Sequence, residues 1–412
     1  MTHQQALSEW TTCVSSNPPH LTKPQATVLA WWSFGIAVTR SWGRVTVAAF
    51  LALLLTRKVA TVEQRLYEWC IAAPRKAGTQ RQTLDVTACF VPFLAWIVRL
   101  WHGNQIALTL DATTLSDRFV VLTISVVYHG MGIPVAWTVL HAGRKQAWRR
   151  EWLRMLRLLR PAMPRHWTVL VLADRGLYAR WLFRRIVRLG WHPFLRINTG
   201  AKFRPVGQAQ WYWLRDLLSA DGRPRQFQGA CFKDPASHLS CTLLVWYDDH
   251  YTDPWFVLTD LAPGASDIAW YGLRAWCEQG FKCTKRGGWQ WQLTQMTDPD
   301  RAARLWLALA PAMFWMVTIG TDLEAGPPAA CPDLPDLRPL LGGVRQGRMR
   351  HVRLFRLGWL WLLVQLIPQA PLPLPQQLRP DPWPTTPPPR AGETPPCAAS
   401  FGGGLLHQDA IP

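Results

Sequence analysis

Residues 266–288 read SDIAWYGLRAWCEQGFKCTKRGG, and the winding of this stretch decides where the rest of the chain must go. At about 100° per residue, Arg274, Glu278 and Lys285 fall roughly 60°, 20° and 40° from Tyr271, so a single helix puts all four on one narrow face. Trp270, Leu273, Trp276, Cys277 and Phe281 take the other side and can be buried. Ser266 suits the N-cap, Asp267 the first turn, Lys285 and Arg286 the last turn, and Gly287 the C-terminal stop. A carboxylate between two cations and a phenol suits the chemistry of a phosphodiester. The plainer alternative is a solvated charged face, and it stands unless other carboxylates converge on Glu278.

Two acids upstream meet that condition. Ile106 to Asp111 (IALTLD) reads as a strand, Phe119 to Tyr128 as a second and Ile133 to Leu140 as a third, with a hairpin signal at His129-Gly130-Met131-Gly132. After a basic helix from Gln146 to Leu159, the run Trp167 to Ala173 (WTVLVLA) is a strand that ends at Asp174. A helix from Tyr178 to Leu189 and a strand from Pro193 to Ile197 follow. Three antiparallel strands and then alternating helix and strand give the order of a ribonuclease-H-like α/β domain, a mixed sheet flanked by helices. Adjacent strand ends on one edge of that sheet can bring Asp111 and Asp174 together, with Glu278 as the third acid. Taken singly, each aspartate reads as a turn acid or a helix cap.

Charge points to a polyanion. The 412 residues hold 45 basic and 26 acidic side chains, a net +19 that arginine dominates, and arginine forks onto phosphate. The nine cysteines include no C-x-x-C pair, which argues against a zinc site or a disulfide framework. The first residues, MTHQQALSEWTTC, lack a basic segment followed by an apolar core, so no signal peptide is expected. Val45 to Thr56 and Leu305 to Gly320 are the most apolar runs. Both fall short of the roughly 18 residues of a membrane span, so they read as core helices and no membrane partner is expected.

Five segments follow from these patterns. Residues 1–103 read as a helical domain with basic loops, 104–198 and 266–322 as the ribonuclease-H-like domain, and 199–265 as an inserted β-rich subdomain. Residues 323–367 hold a basic stretch (Arg345, Arg348, Arg350, Arg353, Arg356) and then an apolar helical one. Residues 368–412 are proline-rich with few apolar anchors, which predicts disorder.

The spacing Tyr271, two residues, Arg274, three residues, Glu278, six residues, Lys285 resembles the Y-R-E-K signature of DDE transposases of the fourth insertion-sequence family. With only seven Tyr, seven Glu and eight Lys in the chain, a chance match is on the order of a few in ten thousand, far rarer than for a loose glycine motif. VLADRGLY around Asp174 matches the family pattern of Asp, any residue, Gly and a nearby aromatic, and Trp255 in WFVLT resembles its W-x-x-L-T segment. Ala275 departs from it, since some relatives carry Trp there.

The resemblance implies a metal-dependent DNA transposase. Asp111, Asp174 and Glu278 would be the catalytic acids and ligands of two Mg2+ ions, with Mn2+ as a substitute. Tyr271, Arg274 and Lys285 would contact DNA phosphates, and Trp255 would stack on a base flipped from the element's end. The β-rich insertion matches one that the resembling transposases carry, and residues 1–103 would recognise the ends. The implied partners are double-stranded DNA, as terminal inverted repeats and target, and a second copy of the chain in the DNA complex. The implied location is the bacterial cytoplasm, on the nucleoid. Two other readings stay open: a ribonuclease-H-like nuclease or resolvase without strand transfer, and a DNA-binding repressor descended from a transposase. A repressor has no need of three acids beside a polyanion.

Overall fold

The computed structural model describes residues 2–79, 81–143, 148–248, 252–325 and 350–386. Arg345, Arg348 and residues 387–412, read above as part of a basic stretch and of a disordered tail, lie outside them.

Strands β1 (Gln105–Leu115), β2 (Phe119–Tyr128) and β3 (Met131–His141) form an antiparallel meander. The turn between β2 and β3 is tight because His129 and Gly130 both take positive φ (41° and 76°), the combination that matches strand twist in a two-residue hairpin. Helix α1 (Arg149–Leu159) then leads to β4 (Thr168–Ala173), which pairs parallel with β1, and α2 (Arg180–Arg188) leads to β5 (His192–Arg196), parallel with β4. β2 and β4 are buried almost throughout, as continuous apolar runs covered on both faces should be.

The β-rich stretch joins the main sheet. Strands β6 (Lys202–Pro205), β7 (Tyr212–Trp213), β8 (Arg225–Cys231), β9 (Leu239–Trp246) and β10 (Trp255–Thr259) lengthen the same sheet to ten strands, in the order β3-β2-β1-β4-β5-β10-β9-β8-β6-β7. The junction is antiparallel, with Val257 opposite Arg196 and Leu258 opposite Leu195. It covers the edge that β5 would otherwise leave open, and an uncovered edge of backbone donors and acceptors is a liability.

Residues 1–103 pack against the same core. Their five helices, α3 (His3–Ser15), α4 (Lys23–Thr39), α5 (Arg44–Leu55), α6 (Val59–Cys70) and α7 (Phe90–Leu100), share one apolar core with the sheet and with the long helix α8 (Pro299–Ala325). Trp10 stacks on Trp315 at 4.0 Å, and buried Arg304 of α8 donates to the carbonyl oxygens of Cys70 and Leu84. The apolar run 305–320 continues at both ends into this 27-residue helix, so by length and composition it could cross a membrane. It is instead almost wholly buried inside the protein. Helix α9 (Arg350–Leu366) lies against it at a glycine crossing, where a Cβ on Gly358 would stand 2.0 Å from the Met316 carbonyl oxygen.

Residues 368–386, expected to be disordered, dock. Leu378 exchanges backbone hydrogen bonds with Leu100 (2.7 Å) and His102 (2.8 Å), Trp315 donates its indole N–H to the Pro373 carbonyl (2.6 Å), and Trp383 sets its edge on Trp270. Leu372 and Leu378 are buried. A proline-rich chain is extended and makes no internal backbone bonds, so its polar groups are free to pair with a neighbour.

Candidate active site

The register of β1 on β4 builds the site. Leu110 and Ala173 are the last pair of the parallel ladder, so Asp111 and Asp174 leave it side by side. β4 stops there, but β1 does not: Asp111 lies within the β1–β2 hairpin, opposite Thr123, and not at the strand end that the sequence predicts. Asp111 accepts the N–H of Ala112 (2.8 Å), and Asp174 accepts that of Gly176 (2.9 Å), which fixes both carboxylates.

Residues 266–288 do not form one helix. Ile268–Ala275 is a 3-10 segment, and the α-helix α10 covers only Trp276–Thr284. Asp267 is the cap in place of Ser266, accepting from the Ala269 N–H (2.8 Å), and Lys285 lies just past the last turn, which Gly287 closes on the Lys282 carbonyl. At about three residues per turn, Tyr271 and Arg274 stay on one side of the 3-10 segment, and the change to α-helix at Trp276 alters their angle to Glu278 and Lys285. The ring of Tyr271 packs in an apolar cluster, edge-on to Trp255 at 5.1 Å, while its phenol feels the charges of Arg274, Arg196 and Asp174, and burial pushes it up to about 12. Trp255 is itself a core residue, 6% exposed and edge-on to Trp246. Both rings, read above as DNA contacts, are buried.

The remaining residues do converge. A Cβ on Gly280 would stand 2.4 Å from the Gly132 carbonyl oxygen, so only glycine allows α10 to lie directly on the start of β3. That contact brings Cys277 and Glu278 to Asp111. Arg274 then bonds all three acids: Nη1 donates to Glu278 Oε1 (2.7 Å), and Nη2 to Asp111 Oδ2 (3.1 Å) and Asp174 Oδ2 (3.0 Å). Lys285 turns aside, donating to Thr113 Oγ1 (2.7 Å) and the Thr114 carbonyl (2.9 Å), and burial lowers its pKa.

Burial dominates the electrostatics. It pushes the Asp111 carboxyl above its usual range, against the pull of Arg274, Cys277 and the Ala112 N–H, while Asp174 adds to the rise. For Arg274, burial opposes the charge, but Asp111, Cys277 and Asp174 overcome it and hold the guanidinium firmly protonated. Cys277, placed on the apolar side by its position in the sequence, is a site residue: its Sγ–H donates to Asp111 Oδ2 (3.0 Å), and burial pushes the thiol well up.

Residues 109–315, just over half of the chain, match the transposase DDE domain. The chain belongs to this family. Asp111, Asp174 and Glu278 all lie within the matched part of this DDE transposase domain. Among solved structures, the cryo-EM structure of the piggyBac transposase synaptic complex with hairpin DNA is similar at 10% identity, over 90% of this chain and 83% of that chain, with a TM-score of 0.34. No curated protein matches.

The acids of this DDE domain are hard oxygen donors, the kind that Mg2+ and Mn2+ take. As they stand they are closed around an arginine. Among the described residues, no three His, Cys, Asp or Glu side chains are grouped to hold a metal ion.

Proposed function

We propose that this chain is a metal-dependent DNA transposase that cuts the ends of an insertion sequence and joins them to target DNA. One observation carries the proposal: Asp111, Asp174 and Glu278, 63 and 104 residues apart in sequence, meet at a single guanidinium in a DDE transposase domain. A binding module gains nothing from three acids facing a polyanion, since they repel it.

In this proposal the three carboxylates hold two divalent ions. Bound there, Mg2+ or Mn2+ would supply an activated oxygen nucleophile and neutralise charge at the phosphate. Arg274 and Lys285 provide the remaining positive charge, Arg274 as a planar fork and Lys285 as a point charge just beyond Asp111. Water would cleave the bond at the element's end, leaving a free 3′-hydroxyl. That hydroxyl would attack the opposite strand, expelling the 3′-oxygen of the flanking DNA to give a hairpin; a second water would reopen the hairpin and restore the 3′-hydroxyl, which then attacks target DNA. The hairpin route rests on the Y-R-E-K resemblance. With Trp255 in the core, a flipped base would need a different stacking surface. The net charge of +19 supports duplex DNA as the partner, and a second copy of the chain would complete the complex of paired ends.

The test is to incubate the purified protein with linear DNA carrying the terminal repeats of its own element and Mg2+, and to resolve the products on a denaturing gel. A nick at the element boundary followed by a hairpin is expected. Tight binding of the ends without cleavage in Mg2+ or Mn2+ would favour the repressor reading.

A further inference from the structure

Arg274 stands where a metal ion would have to go. Its two terminal nitrogens take Glu278 Oε1, Asp111 Oδ2 and Asp174 Oδ2, one oxygen from each acid. The other nearby cation of the motif, Lys285, is occupied with Thr113 and Thr114 and shares none of this charge. Yet the guanidinium is not fully satisfied: its Nε is buried and has no acceptor among the described residues. Five N–H donors in a fixed fork need more than this pocket provides. Three carboxylates against one guanidinium also leave the centre net negative. Attraction for a divalent ion therefore persists, and what the arginine removes is the space and the free lone pairs.

We propose that Arg274 is a latch that keeps divalent ions out of the acid centre until a DNA phosphate draws its guanidinium away. The proposal rests on the reading of the three acids as metal ligands. A guanidinium forks onto phosphate in the same planar manner as onto carboxylate, so a phosphodiester at the mouth of the site is an equivalent partner. The way out is on the open side: the Asp174 and Glu278 side chains are 42% and 50% exposed, whereas those of Asp111 and Arg274 are each 16% exposed. Phosphate and metal then favour the same state, the one in which the arginine has left the acids, so each strengthens the binding of the other. Without DNA the protein holds ions weakly and does not act as a free nuclease.

The experiment is a titration of Mn2+ into the DNA-free, full-length protein, with free Mn2+ followed by its electron paramagnetic resonance signal. Wild type is compared with Arg274→Gln, with Arg274→Lys, and with Arg274→Gln combined with Asp111→Asn. Arg274→Gln should bind Mn2+ roughly 5- to 150-fold more tightly than wild type, the usual range of such coupling, and Asp111→Asn should cancel the gain. Arg274→Lys keeps a charge but cannot fork onto several acids, so it should fall between the two; it carries the test if the glutamine variant does not fold. Wild type binding Mn2+ as tightly as both single variants would overturn the latch and leave the acids as metal ligands. No binding by any of the four would overturn the latch together with the metal-site reading.

Discussion

Leu110 and Ala173 form the last rung of the parallel ladder between β1 and β4, and that pairing is what sets Asp111 beside Asp174. A shift of one residue in this register would turn one of the acids to the opposite face of the sheet. The third acid comes to the same point through a different contact, that of Gly280 with Gly132.

Gly280→Ala tests that contact. The added methyl would stand 2.4 Å from the Gly132 carbonyl oxygen, so α10 must move off the sheet. A stability loss of about 1–3 kcal/mol is expected, as for overpacked cores, with cleavage falling further as Glu278 and Arg274 withdraw. Thermal melting and cleavage assays measure both. Wild-type values in each would show that the helix is not positioned by this contact.

Trp255→Ala should behave as a core substitution. The buried indole packs on Trp246 and Tyr271, and its removal should cost about 3–5 kcal/mol. Nicked and hairpin products should decline together, and Trp255→Phe should restore most of both. Selective loss of the hairpin at an unchanged melting temperature would return the indole to a base-stacking role.

Leu378 gauges the docked tail. It is 1% exposed and its backbone is bonded to Leu100 and His102, so Leu378→Ala should lower stability by about 2–5 kcal/mol. A denaturant midpoint equal to that of wild type would mean that residues 368–386 contribute nothing to the fold.

Cys277 lies against Asp111 but should do no chemistry of its own. Burial, with Asp111 adding to it, pushes the thiol pKa upward. A raised pKa keeps the sulfur protonated as pH climbs through the ordinary thiol range, and the thiolate is the reactive form. Cys277→Ser, which still offers a donor to Asp111, should cleave normally, and iodoacetamide at pH 8 should leave Cys277 unmodified in the native protein by mass spectrometry. Rapid alkylation at Cys277 would contradict its burial.

The strands that carry Asp111 and Asp174 were legible because they follow from local pattern. β2 falls on Phe119–Tyr128 as its apolar run predicts, and β4 ends at Ala173. What escaped was set by long-range contact. The single helix from Ser266 assumes 3.6 residues per turn throughout, but Ile268–Ala275 is a 3-10 segment whose Ile268 and Tyr271 join the cluster around Trp255. Trp255 and Tyr271 carry the right names for DNA contacts, yet exposure is not written in a motif. The docking of Leu378 depends on the Trp101 end of α7, nearly 280 residues away, and no local composition announces it. Cys277 reads as apolar because only the fold reveals Asp111 beside it.

The most direct measurement compares wild type with Asp111→Asn, Asp174→Asn and Glu278→Gln, each close in shape to the acid it replaces, for binding and Mg2+-dependent cleavage of DNA carrying the element's ends. All three variants should bind the ends about as tightly as wild type, while cleavage falls by on the order of a thousandfold or more, equivalent to at least about 4 kcal/mol of lost transition-state stabilisation. Wild-type cleavage by any one of them would contradict a shared catalytic centre at Asp111, Asp174 and Glu278.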